Sequence, residues 1–222
     1  MDVVTDAAAV VKPLLRGWLH LVCFFLAVPV GIWLAVVAPS PTARVAAIVY
    51  GAGLIALFGV SGFYHRGRWS PSWRHRMQRL DHSTIYVMIA GSYTPICLLV
   101  LRGWLATALL VAVWTGAAAG ALLSWLPGRR SATAAQTLYI ALGWMAVVAG
   151  PQLADRVDGP TLVLLVVGGL LFTVGAVTLA TRWPDPSPRV LGYHEVWHVM
   201  VVAAVLCHLV ALAGVVRYGG PV

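Results

Sequence analysis

Apolar residues run along this chain in long blocks, and short clusters rich in Arg, Pro, Ser and Gly break them up. The blocks do not alternate apolar with polar positions, so they do not read as strands of an outer-membrane barrel. Each is about 20 residues long, the length at which a helix crosses a bilayer. The pattern predicts spans over 18–38, 44–65, 80–101, 104–126, 134–153, 160–180 and 193–216. Pro39-Ser40-Pro41 closes the first, and Pro127-Gly128-Arg129-Arg130 closes the fourth. Pro95 predicts a kink in the third. The fifth is the weakest, because Gln136, Thr137 and Gly143 dilute it. Pro184, Pro186 and Pro188 make a stiff linker before the last.

Composition agrees with this pattern. Of 222 residues, 60% are hydrophobic and 10% charged. The mean hydropathy is +0.87. The expected class is an all-α membrane protein, a seven-transmembrane helix bundle. Residues 1–17 form a tail and 18–217 form one domain, since the loops are short. The first span is too long for the apolar core of a signal peptide and reads as retained. Cys23, Cys97 and Cys207 each lie inside an apolar run, which points to packing and not to a disulfide framework. Gly116 and Gly120 form a small-xxx-small pair in the fourth span. The pair would serve close packing within the bundle or between protomers of a homo-oligomer.

The net charge of +8 does not point to nucleic acid, because the basic residues fall in loops between spans. Eleven Lys and Arg lie on one side, in the tail and in the loops after spans two, four and six, against four on the other. The positive-inside rule then expects the N-terminus in the cytoplasm and the C-terminus outside. This orientation brings three distant polar stretches to one membrane face. Span two ends there with Ser61-Gly62-Phe63-Tyr64-His65, span three starts there with Leu80-Asp81-His82, and span seven starts there with His194-Glu195-Val196-Trp197-His198.

His194 and His198 are one helical turn apart on one face, the spacing at which two imidazoles share a metal ion. With His65 they make three neutral donors for Zn²⁺ and leave one tetrahedral position for water, the arrangement of a catalytic zinc. Such water has a pKa of about 7. Asp81 would hold and deprotonate it. Ser61, one turn before His65, would hydrogen-bond a ligand, the water or a developing oxyanion. Plainer readings stand beside these. Asp81 would be a helix N-cap, His65 an interfacial side chain and His194/His198 a hydrogen-bonded packing pair. His20, His75, His82 and His208 read as structural, and His208 lies more than two turns too deep to join the same ion. His194-Glu195-x-x-His198 also matches the zinc-protease helix, with Glu195 as base. Glu195 points about 100° away from His194. The Asp-Gly setting expected of an intramembrane metalloprotease's third ligand is absent, since His82 follows Asp81.

The ordered set Ser61-x-x-x-His65, Arg79-Leu80-Asp81-His82-Ser83 with Gly91-Ser92-Tyr93-Thr94-Pro95, and His194-x-x-x-His198 resembles the bacterial hemolysin III proteins. These belong with the progestin and adipoQ receptors, including the adiponectin receptors, and more distantly with alkaline ceramidases. The resemblance covers about residues 14–217. It implies a seven-helix bundle with its N-terminus inside and zinc on His65, His194 and His198. It also implies Asp81 on the zinc water with Ser61 nearby, and hydrolysis of lipid amides. One motif departs. An acidic, Asn-containing stretch ending in Thr-His precedes the first span of many members, and here only His20 of Arg16-Gly17-Trp18-Leu19-His20 remains. The long N-terminal domain of the adiponectin receptors is not seen, so adipokine signalling is not expected.

The leading expectation is a zinc-dependent hydrolase of a lipid-like amide or ester, with a membrane lipid as substrate or ligand that enters laterally. A bacterial inner membrane is the expected location. The alternative is a non-enzymatic sensor of membrane state with structural zinc, which Asp81 as a fourth ligand would favour. A lytic pore is disfavoured because the spans are apolar along most of their length. A retinal protein is excluded, because the only lysine, Lys12, lies outside the spans.

Overall fold

The computed structural model describes residues 12–220. Its helices are α1 (Trp18–Val37), α2 (Pro41–Arg66), α3 (Pro71–Pro95), α4 (Trp104–Trp125), α5 (Arg129–Trp144), α6 (Gly150–Arg156), α7 (Gly159–Thr181) and α8 (Tyr193–Tyr218). A π-helical turn, Ile96–Val100, extends α3, and a 3₁₀ segment, Met145–Ala149, joins α5 to α6. Seven of the resulting helical segments are long and apolar enough to cross a membrane. The seven expected spans are therefore present, with shifted ends.

Local chemistry sets several of these ends. Ser40 caps α2 by accepting from the Ala43 N–H at 3.2 Å, and Pro41 fills the first turn, where no amide donor is needed. Asp158 caps α7 by accepting from the Thr161 N–H at 2.8 Å. The Thr161 side chain, together with that N–H, holds the Asp158 carboxyl below its usual pKa. Gly219 ends α8 at φ 66°, and the Gly220 N–H closes the turn onto the Val215 carbonyl at 3.1 Å.

Helix α3 starts at Pro71, well before the expected Leu80. The basic stretch before Leu80 is helical too and carries α3 past the apolar block. Asp81 is thus in the third turn of a continuous helix, which excludes the N-cap reading. The kink expected at Pro95 takes the form of the π turn, a wide turn that absorbs the backbone bond proline cannot make.

The bundle runs α1 against α2, α2 against α3, α3 against α4 and α4 against α5, while α8 packs on α7 and returns to α1. Most of α2 and α3 is buried, whereas α1, α4, the fifth span and α7 turn apolar faces outward. Phe25, Leu122, Val147 and Val163 are among the exposed residues. Such a surface suits hydrocarbon and would be a liability in water. Three close approaches need glycine. A Cβ on Gly51 would lie 3.0 Å from the Gly31 Cα, so α1 and α2 meet backbone to backbone. A Cβ on Gly120 would lie 2.1 Å from Tyr86 Cε1, and one on Gly116 would lie 2.6 Å from Leu142 Cδ2. The Gly116/Gly120 pair therefore serves packing inside the bundle, onto α3 and α5. The three cysteines are free.

The fifth span is not the single helix expected over 134–153. It runs through α5, the 3₁₀ segment and α6 to Arg156. Two tyrosines of α3, two turns apart, hold it. The Tyr86 hydroxyl donates to the Ala135 carbonyl at 2.5 Å. The Tyr93 hydroxyl lies 2.9 Å and 2.8 Å from the Leu142 and Gly143 carbonyls and accepts from the Ala146 N–H at 2.7 Å. Those groups flank the point where α5 tightens, so one side chain satisfies the backbone at a break surrounded by apolar atoms. Tyr93→Phe is expected to cost about 1–3 kcal/mol, because it strands backbone groups away from water. A lowered thermal midpoint in detergent is the measurement, and an unchanged midpoint would mean that the break is held by other contacts.

Candidate metal centre

The last turn of α2, the third turn of α3 and the first turns of α8 lie at the same end of the bundle. This is the end that carries the Arg-rich segment of 66–79. Here His65, His194 and His198 converge. One ligand atom from each lies within 4.8 Å of the other two. His65 Nε2 and His194 Nε2 are 3.2 Å apart. Donors around a tetrahedral zinc with bonds of 2.0–2.1 Å sit about 3.3 Å from one another. The three rings are mutually edge-on, with centroids 4.7–5.1 Å apart. His65 and His198 are buried, and His194 is partly so. Three convergent imidazoles shielded from water offer the donor type and number that suit a zinc ion, with the His65–His194 pair at its donor spacing.

Asp81 lies outside this trio. Its carboxyl group lies beside Ser61, which is buried one turn before His65 on α2, and both line the same cavity. The structure thus brings together all five residues singled out from the sequence: Ser61, His65, Asp81, His194 and His198.

Glu195 does not behave as the base of a protease helix. It is 4% exposed and sits at the third position of α8, where its carboxylate accepts from the Gly192 N–H at 2.9 Å. The other oxygen pairs with the Arg16 guanidinium. Both contacts tie it into the helix cap and leave it no path to the trio.

Arg16 belongs to a strap, residues 12–17, laid across this end of the bundle. The Leu14 and Leu15 N–H groups donate to the Arg189 and Val190 carbonyls at 3.0 and 3.1 Å. The Lys12 ammonium donates to the His65 carbonyl. Partial burial and the neighbouring Arg66, Arg74 and Arg16 charges hold the Lys12 pKa below its usual value. Gly17 adopts φ +80°, and a Cβ there would meet His65 Cβ at 2.4 Å. The strap thus rests directly on a member of the trio. The sequence marked Lys12 and Arg16 only as orientation charges, and their contacts depend on the fold.

His20 was expected to be structural, and the structure places it against the trio. Its ring stacks on His198 at 3.8 Å between centroids with 15° between planes. Phe58 meets it edge-on at 5.2 Å. The signal in the sequence was its position at the same end of a span as the other three.

The trio stands at the head of a cavity of about 460 Å³. His20, Ser61, Asp81, His194 and His198 line the polar end. Ile85, Ile89, Leu165 and Phe172 form part of an apolar wall, and His208 and Leu212 lie far inside. His208 is about 15 Å beyond His198 along α8, with Nε2 3.1 Å from the Leu165 carbonyl. His82 also lines the cavity, whereas His75 is exposed on the basic stretch. On the fifth span and α7, Gly143, Val147, Val166 and Leu170 line the cavity and are exposed.

The family model described as Haemolysin-III related matches residues 8–209. Hemolysin-3 of Bacillus cereus is 35% identical over 163 residues, 73% of this chain and 71% of that protein. The Hemolysin-3 homolog of Bacillus subtilis is 30% identical over 154 residues, 69% of each chain. The human Monocyte to macrophage differentiation factor is 29% identical over 173 residues, 76% of this chain and 69% of that protein. With seven membrane-length segments and a match over most of its length, the chain belongs to the haemolysin-III-related family of integral membrane proteins.

Proposed function

We propose that this protein is a zinc-dependent hydrolase of a lipid-like amide or ester, working at the cytoplasmic face of a bacterial inner membrane. The observation that carries the reading is the joining of two features in one cavity. A three-imidazole cluster with a paired carboxyl and hydroxyl stands at one end, and an apolar channel open to the side of the bundle leads away from it. Cavities of this size and lining hold small amphiphilic ligands. The positive-inside rule places the Arg-rich end, and so the cluster, in the cytoplasm, with the C-terminus outside.

His65, His194 and His198 would hold the metal. A bound zinc ion would supply Lewis acidity and water with a pKa near 7. The apolar walls seat the chain of the lipid so that its carbonyl carbon rests at the cluster, which turns a bimolecular encounter into a positioned one. Asp81 takes the proton as the attacking water adds to that carbon. The Ser61 hydroxyl donates to the oxygen that gains negative charge. Asp81 then returns the proton to the departing nitrogen or oxygen as its bond to carbon breaks, which leaves a carboxylic acid and an amine or alcohol. Asp81 lies outside the trio, and this supports an open fourth position over a closed structural site.

Two measurements test the reading. Purified protein should carry one zinc per chain by elemental analysis and cleave at least one member of a broad panel of amide and ester lipids. A preparation with full zinc and no cleavage across that panel defeats the hydrolase and leaves a sensor. Access through the gap between α5 and α7 is tested separately. A Cβ at Gly143 or Gly169 would meet nothing within 4 Å, so bulk there fills space without a clash. Gly169→Leu is expected to lower kcat/KM by about tenfold or more through blocked loading, an effect of about 1.4 kcal/mol or above. Zinc content should not change, and unchanged kinetics would point to another opening.

A further inference from the structure

Imidazoles from the end of α2 and the first turns of α8 have to be held at one point, and the rings do little of this themselves. A metal-bound histidine commonly gives its other ring N–H to a carboxylate or a backbone carbonyl, which fixes its orientation. Among the described residues, the only hydrogen-bond contact of the His65, His194 and His198 rings is the one between His65 and His194. What orients them comes from another part of the chain.

One contiguous segment, residues 12–20, reaches all of them. Lys12 donates to the carbonyl of His65, the last residue but one of α2, where carbonyls lack helical partners. Gly17 lies against the His65 Cβ, at a φ of +80° that favours glycine. Arg16 pairs with Glu195, which follows His194, and so ties the first turn of α8 to the strap. His20 stacks on His198 at 3.8 Å between centroids and 15° between planes. Neither His20 ring nitrogen has a hydrogen-bond partner, so its contact with His198 is through the ring face. A bound metal lies close to the plane of each imidazole, and a stack that fixes the plane of His198 fixes the direction of its donor. The segment also has a footing of its own, because Leu14 and Leu15 donate to the Arg189 and Val190 carbonyls of the linker before α8. Crossing a bilayer needs only the apolar helix that starts at Trp18. Hydropathy therefore gives no account of contacts that converge on the ligating residues.

We infer that the segment of residues 12–20 is the positioning element of the metal centre, and that it sets the affinity of the trio for zinc by holding the imidazoles in ligating geometry. Arg16 and His20 are its positioning residues for α8, and Lys12 and Gly17 for α2. The inference rests on the metal half of the function proposed above and not on hydrolysis.

The test uses the full chain in detergent. Competition with a chromophoric chelator reads the Kd for zinc, and the visible bands of the Co²⁺-substituted protein read the ligand geometry. A purely structural role would lower the thermal midpoint and leave both readouts unchanged. His20→Ala is expected to raise the Kd by about tenfold or more and to shift the cobalt bands, whereas His20→Phe, which restores a ring face, should stay within about threefold of wild type. Arg16→Ala combined with Glu195→Gln cuts the tie without burying a lone charge, and keeps an oxygen for the Gly192 N–H. It should also raise the Kd by about tenfold. This pair leaves every ring in place and carries the test if His20→Ala does not fold. The inference is overturned if these variants keep the wild-type Kd and cobalt bands, or if His20→Phe is as weak as His20→Ala. A wild-type protein that binds no zinc overturns the metal reading and this inference together. Weakened zinc binding in the variants of a protein that cleaves no lipid upholds the inference and removes only the hydrolase.

Discussion

Asp81→Ala is expected to reduce lipid hydrolysis by about 10²- to 10⁴-fold, the usual contribution of a general acid–base group, while zinc content stays at that of the wild type. The separation follows from the geometry. Asp81 lies beside Ser61 across the α2–α3 contact and outside the three-imidazole trio, so its loss removes the proton carrier and leaves the ion's holders in place. Asp81→Asn should behave similarly, since the amide keeps the shape of the side chain but does not accept the proton. Turnover and elemental analysis on the same preparations decide the matter. If zinc leaves with the carboxyl group, Asp81 is a ligand, the fourth position is closed, and the sensor reading gains. If turnover survives, the base is elsewhere.

His198→Ala is expected to abolish zinc retention and with it all hydrolysis, and to lower the thermal midpoint by several degrees. His198 comes from α8 and His65 from α2, so the ion would tie together two helices far apart in sequence. Binding to the folded state alone stabilises by about 4 kcal/mol when free zinc is a thousandfold above Kd. The decisive comparison is with a chelator. Stripping wild type should reproduce the midpoint of His198→Ala, and the chelator should leave the variant unmoved. A chelator-sensitive midpoint in the variant would show that the ion sits elsewhere.

Much of this architecture is legible in the sequence because a bilayer imposes it. A span needs a fixed length of apolar helix, and the backbone must satisfy its own hydrogen bonds there, so hydropathy alone locates seven segments. Parity then does the rest for the main site. Chain ends of alternate spans share a face, which puts Ser61, His65, Asp81, His194 and His198 at one depth before any packing is known. Other features were out of reach. The break in the fifth span depends on a Tyr93 hydroxyl fifty residues away. The meaning of Gly116 and Gly120 depends on Leu142 and Tyr86 lying opposite them. The sequence left the role of Glu195 open, and it depends on Arg16 and the Gly192 N–H, which hold its carboxylate.

Sequence by itself therefore determined the number of crossings, the end of the bundle that gathers the polar residues and the five side chains proposed for the main site. These follow from one-dimensional quantities, span length and order. Tertiary structure alone decided that His20 is stacked on one member of the imidazole trio, that the strap of residues 12–17 rests on His65, and that an apolar cavity has residues of the fifth span and α7 among its walls. Each of these is a contact, or a missing contact, between helices distant in the chain. Hydropathy is blind to them, because a residue facing a cavity and one facing lipid have the same apolar character.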